Sequence, residues 1–259
     1  MAKPFWKGTI SFGTVAIPVK MSLATESKTP GFHLLHEKCH TRPKQVLYCQ
    51  KDDEYFSQKD TVRGYEYARG QHLVFTEEDF EKVPVKTAHT IDIQKFVDLK
   101  DVDPVYYYNS HYLIPEELGV KPYYLLKETL AKTKRVGIAK VAFQHREHLC
   151  VLRPMDGILA LHSIHFADEI LPHEEIAPAK PEISAAESEM AEKLVDTMAG
   201  EFKPEQYKDE YTLALQKLIK ARLEGLEVEA PPEVKEEEFA DLMSALKASI
   251  SRAEKASKK

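Results

Sequence analysis

The chain has 259 residues, of which 43% are hydrophobic, so it is long enough to bury one or two real cores. No apolar run approaches the ~20 residues of a transmembrane helix, and no signal peptide precedes the first strand, so we expect a cytoplasmic protein. Three cysteines argue against a disulfide-stapled secreted scaffold, and the net charge of −6, taken alone, argues against a nucleic-acid ligand.

Charge is distributed unevenly along the chain, and this weakens the argument from net charge against a nucleic-acid ligand. Residues 1–155 contain 23 Lys and Arg against 19 Asp and Glu, whereas residues 156–259 contain 13 against 23. Such asymmetry is expected of a basic inner surface on an acidic body, and equally of an ordinary solvated surface. Charge alone leaves both interpretations open.

The first apolar stretch predicts the start of a small closed barrel. Ile10 and Phe12 share one face of a strand, and the apolar residues from Val15 onward continue on a face offset by one. One extra residue at Gly13 would produce this offset, so the pattern predicts a single long strand with a β-bulge. A bulged strand bends sharply, as the strands of a small barrel must.

Residues 27–69 predict a long, polar and irregular connection that ends at the Gly-Tyr-Glu-Tyr sequence of residues 64–67. A connection of this length is uncommon inside a compact domain and usually has a function. A strand at residues 71–75 and a short helix capped by Thr76 and Asp79 follow it.

Further strands and one helix complete a mainly β fold with α-helical additions. The period-two and period-3.6 patterns predict strands at residues 90–97, 106–114, 136–144, 148–153 and 158–166, and a helix at residues 122–134. Many strands with one helix favour a β-barrel carrying a long insertion.

The character of the chain changes after residue 170. Three prolines lead to a helix that Ser184 and Glu187 begin as a capping box, with apolar residues at four-residue spacing to Phe202. Pro204 predicts the start of a second helix, which continues to about Glu224. These helices can pack on their own barrel or on a partner, and we favour a partner because little local core precedes them.

The last segment predicts an amphipathic helix with a basic end. Its apolar positions are Phe239, Leu242, Leu246 and Ile250. The basic residues that follow are Arg252, Lys255, Lys258 and Lys259.

Several separated motifs resemble those of the bacterial Ku proteins, and they occur in the same order over about residues 5–225. They are Trp6-Lys-Gly-x-Ile-Ser-Phe-Gly-x-Val-x-Ile-Pro-Val-Lys20, Leu34-Leu35-His36 leading to Cys39, Gly64-Tyr-Glu-Tyr67, the strand end at Tyr112–Pro115, and Asp168-Glu169.

This resemblance implies a homodimer whose barrels and bridging segments form a ring around a double-stranded DNA end. It also implies recruitment of a multifunctional ATP-dependent DNA ligase, DNA ligase D, for non-homologous end joining at the bacterial nucleoid. The implied domains are a Ku-core barrel with its bridge (residues 1–170, bridge about 27–69), a helical arm for dimer contacts (171–229) and a tail (230–259).

A ring that holds DNA by its phosphates needs Lys and Arg on its inner wall and no base readout. The candidate wall residues on the bridge are Lys38, Arg42, Lys44, Lys51, Lys59 and Arg63, and those near the barrel are Lys127, Lys132, Lys134 and Arg135. The candidate ligase contacts are Phe239, Leu242, Leu246 and Ile250 of the tail. Each basic residue has the alternative of being an ordinary surface charge.

Cysteine and histidine in the bridge suggest zinc as a minor alternative. Cys39 and Cys49 have His36 and His40 nearby, and sulfur with imidazole is typical of zinc sites. The resemblance to bacterial Ku proteins implies Cys-x-x-Cys at the second position, as in some relatives, whereas residues 49–52 here read Cys-Gln-Lys-Asp. We therefore favour reduced cysteines, with no metal and no cofactor.

An enzymatic alternative is a metal-dependent hydrolase built on the residues of positions 162–173. On a strand, however, His162 and His165 face opposite sides of the sheet and cannot bind one ion without a bulge. Residues 153–157 superficially resemble a nucleotidyl-transfer motif, but Pro154 stands where the nucleophilic lysine is needed. We therefore expect no catalysis. A β-barrel that binds only protein partners is the remaining alternative.

Overall fold

The computed structural model describes residues 3–83, 87, 89–143, 146–173, 176, 178–226 and 242–257. The chain divides into two compact units, one of Met1–Ser27 with His33–Pro172 and one of Lys28–Phe32 with His173–Lys259. The domain boundaries expected at residues 170 and 229 stay a prediction. None of the helices in the described ranges has the length and hydrophobicity required to cross a lipid bilayer.

The first unit contains eleven strands and two α-helices within the described residues. Its strands are β1 (Trp6–Phe12), β2 (Val15–Leu23), β3 (Leu47–Cys49), β4 (Glu54–Phe56), β5 (Arg63–Ala68), β6 (Gln71–Phe75), β7 (Thr90–Asp98), β8 (Tyr107–Pro115), β9 (Arg135–Phe143), β10 (Arg146–Pro154) and β11 (Leu159–Ile164). Its helices are α1 (Glu77–Glu81) and α2 (Val120–Thr133). The predicted fold class, mainly β with α, is confirmed.

Seven of these strands close into a barrel in the order β1-β2-β8-β11-β10-β9-β7. Neighbours are antiparallel except at the closing seam, where Thr9–Ser11 of β1 pair in parallel with Thr90–Asp92 of β7. A Cβ atom at Gly8 would lie 2.4 Å from the carbonyl oxygen of His89, so the close approach of the chain at this seam requires glycine.

Apolar residues from every barrel strand form the main core cluster, and the buried face of α2 belongs to it. Tyr123, Leu126 and Leu130 are spaced three and four residues apart, so they share one face of the helix and are buried together. The fully buried strand residues are Ile10, Ile17, Val19, Met21, Ile91, Leu113, Ala139, Val141, Cys150, Leu152, Leu159 and Leu161.

The predicted bulged strand at the N-terminus is wrong, because residues 6–23 form a hairpin of two strands. Phe12 pairs with Val15, and Gly13 has a positive φ of 59° at the first position of the two-residue turn. This is the place glycine takes in a type II′ hairpin turn. Ile10 and Ile17 then face each other in the core, which explains the apolar offset without an inserted residue.

The region predicted to be irregular contains two short hairpins. β3 pairs with β4, and β5, which carries the Gly-Tyr-Glu-Tyr sequence, pairs with β6. We call residues 28–83 the insertion, since they separate barrel strands β2 and β7. Residues 28–32 of it belong to the second unit.

The second unit contains three described helices: α3 (Ala185–Met198), α4 (Glu210–Leu223) and α5 (Leu242–Ser257). The capping box of Ser184 and Glu187 is confirmed, with Glu187 N donating to Ser184 Oγ at 3.3 Å. Two predicted bounds are wrong. α3 ends before Phe202, and α4 begins at Glu210 rather than at Pro204, because Asp209 Oδ1 caps the helix by accepting from Thr212 N at 2.9 Å.

Tyr123 ties α2 to two barrel strands, and its hydroxyl group provides a test of this fold. The hydroxyl donates to Leu113 O and accepts from Leu159 N, both at 2.6 Å, and burial raises the pKa of Tyr123 to about 12. The substitution Tyr123→Phe leaves both backbone groups buried without a partner. We expect urea denaturation to show a loss of about 2–4 kcal/mol in the free energy of unfolding.

The neighbouring Tyr124 supplies the matched control, because its side chain is exposed. Tyr124→Phe removes the same atom and should change the free energy of unfolding by less than ~0.5 kcal/mol. Equal effects of the two substitutions would contradict the role assigned to Tyr123.

Candidate nucleic-acid interface

The insertion places its side chains in solvent rather than in a core. Leu34 is 81% exposed, Tyr55 73% and Val62 70%, although all three are large apolar or aromatic residues. Two-stranded hairpins with so little buried surface are marginally stable in isolation. An exposed surface of this kind indicates a contact site for another molecule.

The basic residues predicted on the bridge are all exposed, but they differ in their surroundings. The side chains of Lys38, Lys44, Lys51 and Lys59 make no ion pair with any residue in the described ranges. Arg63, in contrast, pairs with Glu77 at 3.2 Å and lies over the ring of Phe80 at 4.7 Å. The four lysines are therefore the better candidates for phosphate contacts.

Arg42 is the sixth bridge candidate, and it already has a partner. Its guanidinium contacts Nδ1 of His33. This contact leaves the charge of Arg42 intact, because a histidine acceptor is neutral. Arg42 is therefore a weaker candidate than the unpaired lysines but is still a cation on the exposed surface.

Several acidic side chains of the insertion bond to their own turns and leave the lysines unpaired. Ser57 N and Oγ donate to Asp60 Oδ2 at 3.1 and 2.7 Å, and these bonds lower the pKa of Asp60. Tyr48 Oη donates to Asp53 Oδ1 at 2.6 Å, and Gly70 N donates to Glu66 Oε1 at 2.8 Å. Local hydrogen bonds of this kind fix turns, so these carboxylates are held away from salt bridges.

The second group of predicted wall residues lies at the end of α2 and the start of β9. Lys132, Lys134 and Arg135 are exposed, and Lys127 is half-buried with its ammonium 5.0 Å from the ring centroid of Tyr124. Lys134 ends the helix in the left-handed conformation at φ 54°. Cations at a helix C-terminus also stabilise the helix, so this group has a structural explanation besides phosphate binding.

Of the four residues named for zinc, the structure brings His36 and Cys39 into contact but does not join Cys49 or His40 to them as a metal-binding cluster. Cys39 Sγ lies 3.1 Å from His36 Nδ1 and 2.9 Å from Thr41 Oγ1, whereas Cys49 Sγ donates to Asp52 Oδ2 at 3.1 Å. His40 makes a backbone bond to His36 O at 2.7 Å. In the described part of the chain, no three His, Cys, Asp or Glu side chains are placed to hold one metal ion.

The two strand histidines of the enzymatic alternative, His162 and His165, have different partners. His162 Nδ1 lies 2.8 Å from Ser110 Oγ, and Arg153 Nε donates to His162 Nε2 at 2.7 Å. His165 Nδ1 instead lies 3.5 Å from Glu169 Oε2. Burial first, and then the Arg153 charge, lower the pKa of His162 to about 4, so it is neutral at physiological pH.

Three of the four tail residues predicted to contact a partner lie in α5, and the structure gives them different surroundings. Leu242 is 60% exposed, whereas Leu246 is half-buried and Ile250 is 6% exposed. α5 packs against α3 within the second unit. Phe239 lies outside the described residues. Leu242 is therefore the best placed of the three to meet another protein.

Sequence reasoning missed the aromatic and aliphatic surface of the insertion. Tyr65 and Tyr67 of β5 are 63% and 55% exposed, and the pairing of β5 with β6 shifts register between Glu66 and Ala68. The alternation of Tyr with Gly and Glu was the available signal. It indicates a strand, but it shows neither the register shift nor the exposure of the two rings.

Residues 11–192 match the family model described as the Ku70/Ku80 beta-barrel domain. Similar relatives carry the name non-homologous end joining protein Ku, and three of them serve as examples. The protein of Symbiobacterium thermophilum is 40% identical over 97% of this chain and 63% of its own length, so this chain spans less than two thirds of that relative. The protein of Archaeoglobus fulgidus is 40% identical over 95% of this chain and 97% of its own length. The protein of Bacillus subtilis is 35% identical over 95% of this chain and 81% of its own length.

Three histidines of the barrel, the buried His111 and the half-buried His148 and His162, predict how stability depends on pH. Burial lowers the pKa values of His111, His148 and His162, so the folded barrel favours their neutral forms. Unfolded histidine titrates near pH 6.5. The contribution of these residues is fully present above that pH and is lost as pH falls towards the folded value, which is about 4 for His162.

We expect the free energy of unfolding to fall between pH 6.5 and pH 4, and His162→Gln to reduce that fall. The glutamine oxygen still accepts from Arg153, but the side chain no longer titrates. His72→Gln, on the exposed strand β6, should follow the wild-type curve. Chemical denaturation at half-unit pH steps measures the three curves. A wild-type pH dependence in His162→Gln would contradict the assignment.

Proposed function

The chain belongs to the Ku family, and we propose that two copies of it form a ring that threads onto double-stranded DNA ends. The ring binds without sequence specificity, acts at the nucleoid in the cytoplasm, and recruits and stimulates DNA ligase D for non-homologous end joining. The name shared by its relatives supports this role.

The observation that carries the proposal is the set of four unpaired lysines on the insertion. Cations that are exposed and free of carboxylate partners gain most from phosphate, because no salt bridge has to break first. Phosphate contacts carry no base information, so binding through Lys38, Lys44, Lys51 and Lys59 is independent of sequence.

The exposed apolar residues of the insertion and the arm support dimer formation. The insertion exposes large apolar side chains throughout, and in the arm Tyr211 is 71% and Leu223 83% exposed. A second copy carries the same exposed surfaces. In a two-fold symmetric dimer, the same surface of both copies is buried in the contact. We assign the helical arm, residues 171–229, to this contact.

Ring topology and charge together give preference for DNA ends. A closed ring mounts only where the duplex has a terminus. Residues 156–259 carry 23 acidic against 13 basic residues, which disfavours DNA contact outside the inner wall. On this account the chain holds a DNA end and a ligase, and it performs no catalytic step itself.

The inner wall is tested by charge reversal at three unpaired bridge lysines. The triple substitution Lys44→Glu, Lys51→Glu and Lys59→Glu should weaken binding of a linear duplex by at least about tenfold at physiological salt. The slope of log K against log salt should also shrink by about 0.9 for each phosphate that the variant no longer neutralises. Fluorescence anisotropy over a salt series measures both quantities.

A second triple substitution, Lys3→Glu, Lys95→Glu and Lys121→Glu, outside both the insertion and the helical arm, is the matched control. These lysines are exposed, they have no ion pair in the described ranges, and the change in net charge is identical. The control should bind DNA within about threefold of the wild type at the same salt concentration. Light scattering should find dimers of both variants. Equal loss of DNA affinity in both triples would contradict the assigned wall, and no loss in either would favour a barrel that binds only proteins.

The tail is tested as the ligase contact. Leu242→Glu should leave DNA affinity unchanged and abolish stimulation of DNA ligase D in an end-joining assay, because Leu242 is 60% exposed and its loss removes no buried contact of α5. Lys247→Glu, also exposed on α5, should retain stimulation. Full stimulation by Leu242→Glu would place the ligase contact elsewhere.

A further inference from the structure

A cavity of about 470 Å³ is lined by the segment between β7 and β8 together with residues of strands β8, β10 and β11. Leu99, Val102 and Pro104 form its apolar wall. Val102 also packs on the small core cluster of Val136, Val151 and Ile164, so this wall rests on a rigid layer. Cavities of this size suit small organic ligands.

Arg153 also lines the cavity, and a hydrogen bond holds its guanidinium in place. Arg153 Nε donates to His162 Nε2 at 2.7 Å, and His162 in turn contacts Ser110 through Nδ1. Because burial keeps His162 neutral, Nε2 acts as the acceptor and the ring proton lies on Nδ1. The two terminal NH2 groups of Arg153 have no hydrogen-bond partner or ion-pair partner among the described residues.

Two more donors line the same cavity. Tyr107 Oη is buried and has no hydrogen-bond partner in the described structure, and burial raises its pKa, so it remains a hydroxyl donor. Lys100 is exposed and has no ion pair in the described ranges. The nearby Asp103 accepts from Val105 N at 2.9 Å, and no carboxylate lines the cavity.

We propose that this cavity binds a phosphate monoester, with Arg153, Tyr107 and Lys100 donating to its oxygens and the apolar wall holding the group it esterifies. Arg153 offers two parallel N–H donors, which match the geometry of phosphate. Tyr107 adds a neutral donor and Lys100 a second cation, and two cations complement the charge of about −2 on a phosphate monoester better than the single charge of a carboxylate. An orphaned buried hydroxyl is costly unless a ligand satisfies it.

The same chemistry occurs in a free nucleotide and in the 5′-phosphate of a nucleic-acid strand. Calorimetry with the full chain tests the first source, using AMP against adenosine as the phosphate-free probe. We expect AMP to bind and adenosine to bind at least about tenfold more weakly. Tyr107→Phe should weaken AMP binding by about tenfold, and it should leave the melting temperature unchanged or higher, since it removes an unpaired hydroxyl.

Tyr108→Phe is the matched control, because the hydroxyl of this neighbouring residue already contacts His148, at 2.7 Å, and Tyr108 does not line the cavity. Its AMP affinity should equal that of the wild type. Arg153→Lys keeps the positive charge but loses the two parallel N–H donors of the guanidinium. It should therefore reduce AMP binding more than Tyr107→Phe does. Lys100→Gln should weaken binding and Lys95→Gln should not.

A short duplex with a 5′-phosphate or a 5′-hydroxyl tests the second source. If Tyr107→Phe removes a preference for phosphorylated termini, the ligand is the strand end; if it affects AMP alone, the ligand is a free nucleotide. The proposal would be overturned if the wild type bound AMP no better than adenosine and the 5′-phosphate duplex no better than the 5′-hydroxyl duplex. It would also be overturned if the Tyr107→Phe and Arg153→Lys variants bound these ligands like the wild type. Charge reversal on the insertion leaves this cavity unchanged, so the two proposals fail separately.

Discussion

Closure of the barrel at the β1–β7 seam is the constraint on which the rest of the first unit depends. The seam is parallel, it is only three residue pairs long, and Gly8 is needed for the chain to approach His89. β2 leaves this wall at Leu23 and β7 rejoins it at Thr90. The long insertion is thus anchored at both ends in one rigid sheet, which lowers the entropic cost of ordering it on a ligand.

The insertion differs from the barrel in what stabilises it. The barrel buries apolar residues from all seven strands, whereas the insertion holds its turns by carboxylate hydrogen bonds such as those of Asp60 and Glu66. Acids used in this way do not neutralise the neighbouring lysines. The same segment therefore carries free positive charge and exposed apolar residues, two properties that suit DNA on one side and protein on another.

Periodicity predicted the strands and helices of the barrel because burial on one face leaves a clear pattern in the sequence. It failed at Gly13, since a bulge and a two-residue turn produce the same one-residue offset in the apolar residues. It also failed at Pro204, where the local cap at Asp209 decides the start of α4. For the site, sequence identified the exposed lysines. It could not show that Arg63 is paired with Glu77 or that Ile250 is covered, because both depend on tertiary contacts.

The central claim is that two copies of this chain enclose a positively lined opening that a duplex enters only from an end. Binding of a linear duplex, compared with a covalently closed circle of identical sequence and length, tests it most directly. The account predicts a tight, salt-sensitive complex with the linear duplex, weak non-specific binding to the circle, and restored binding once the circle is cut. Equal affinity for the closed circle and the linear duplex would contradict it.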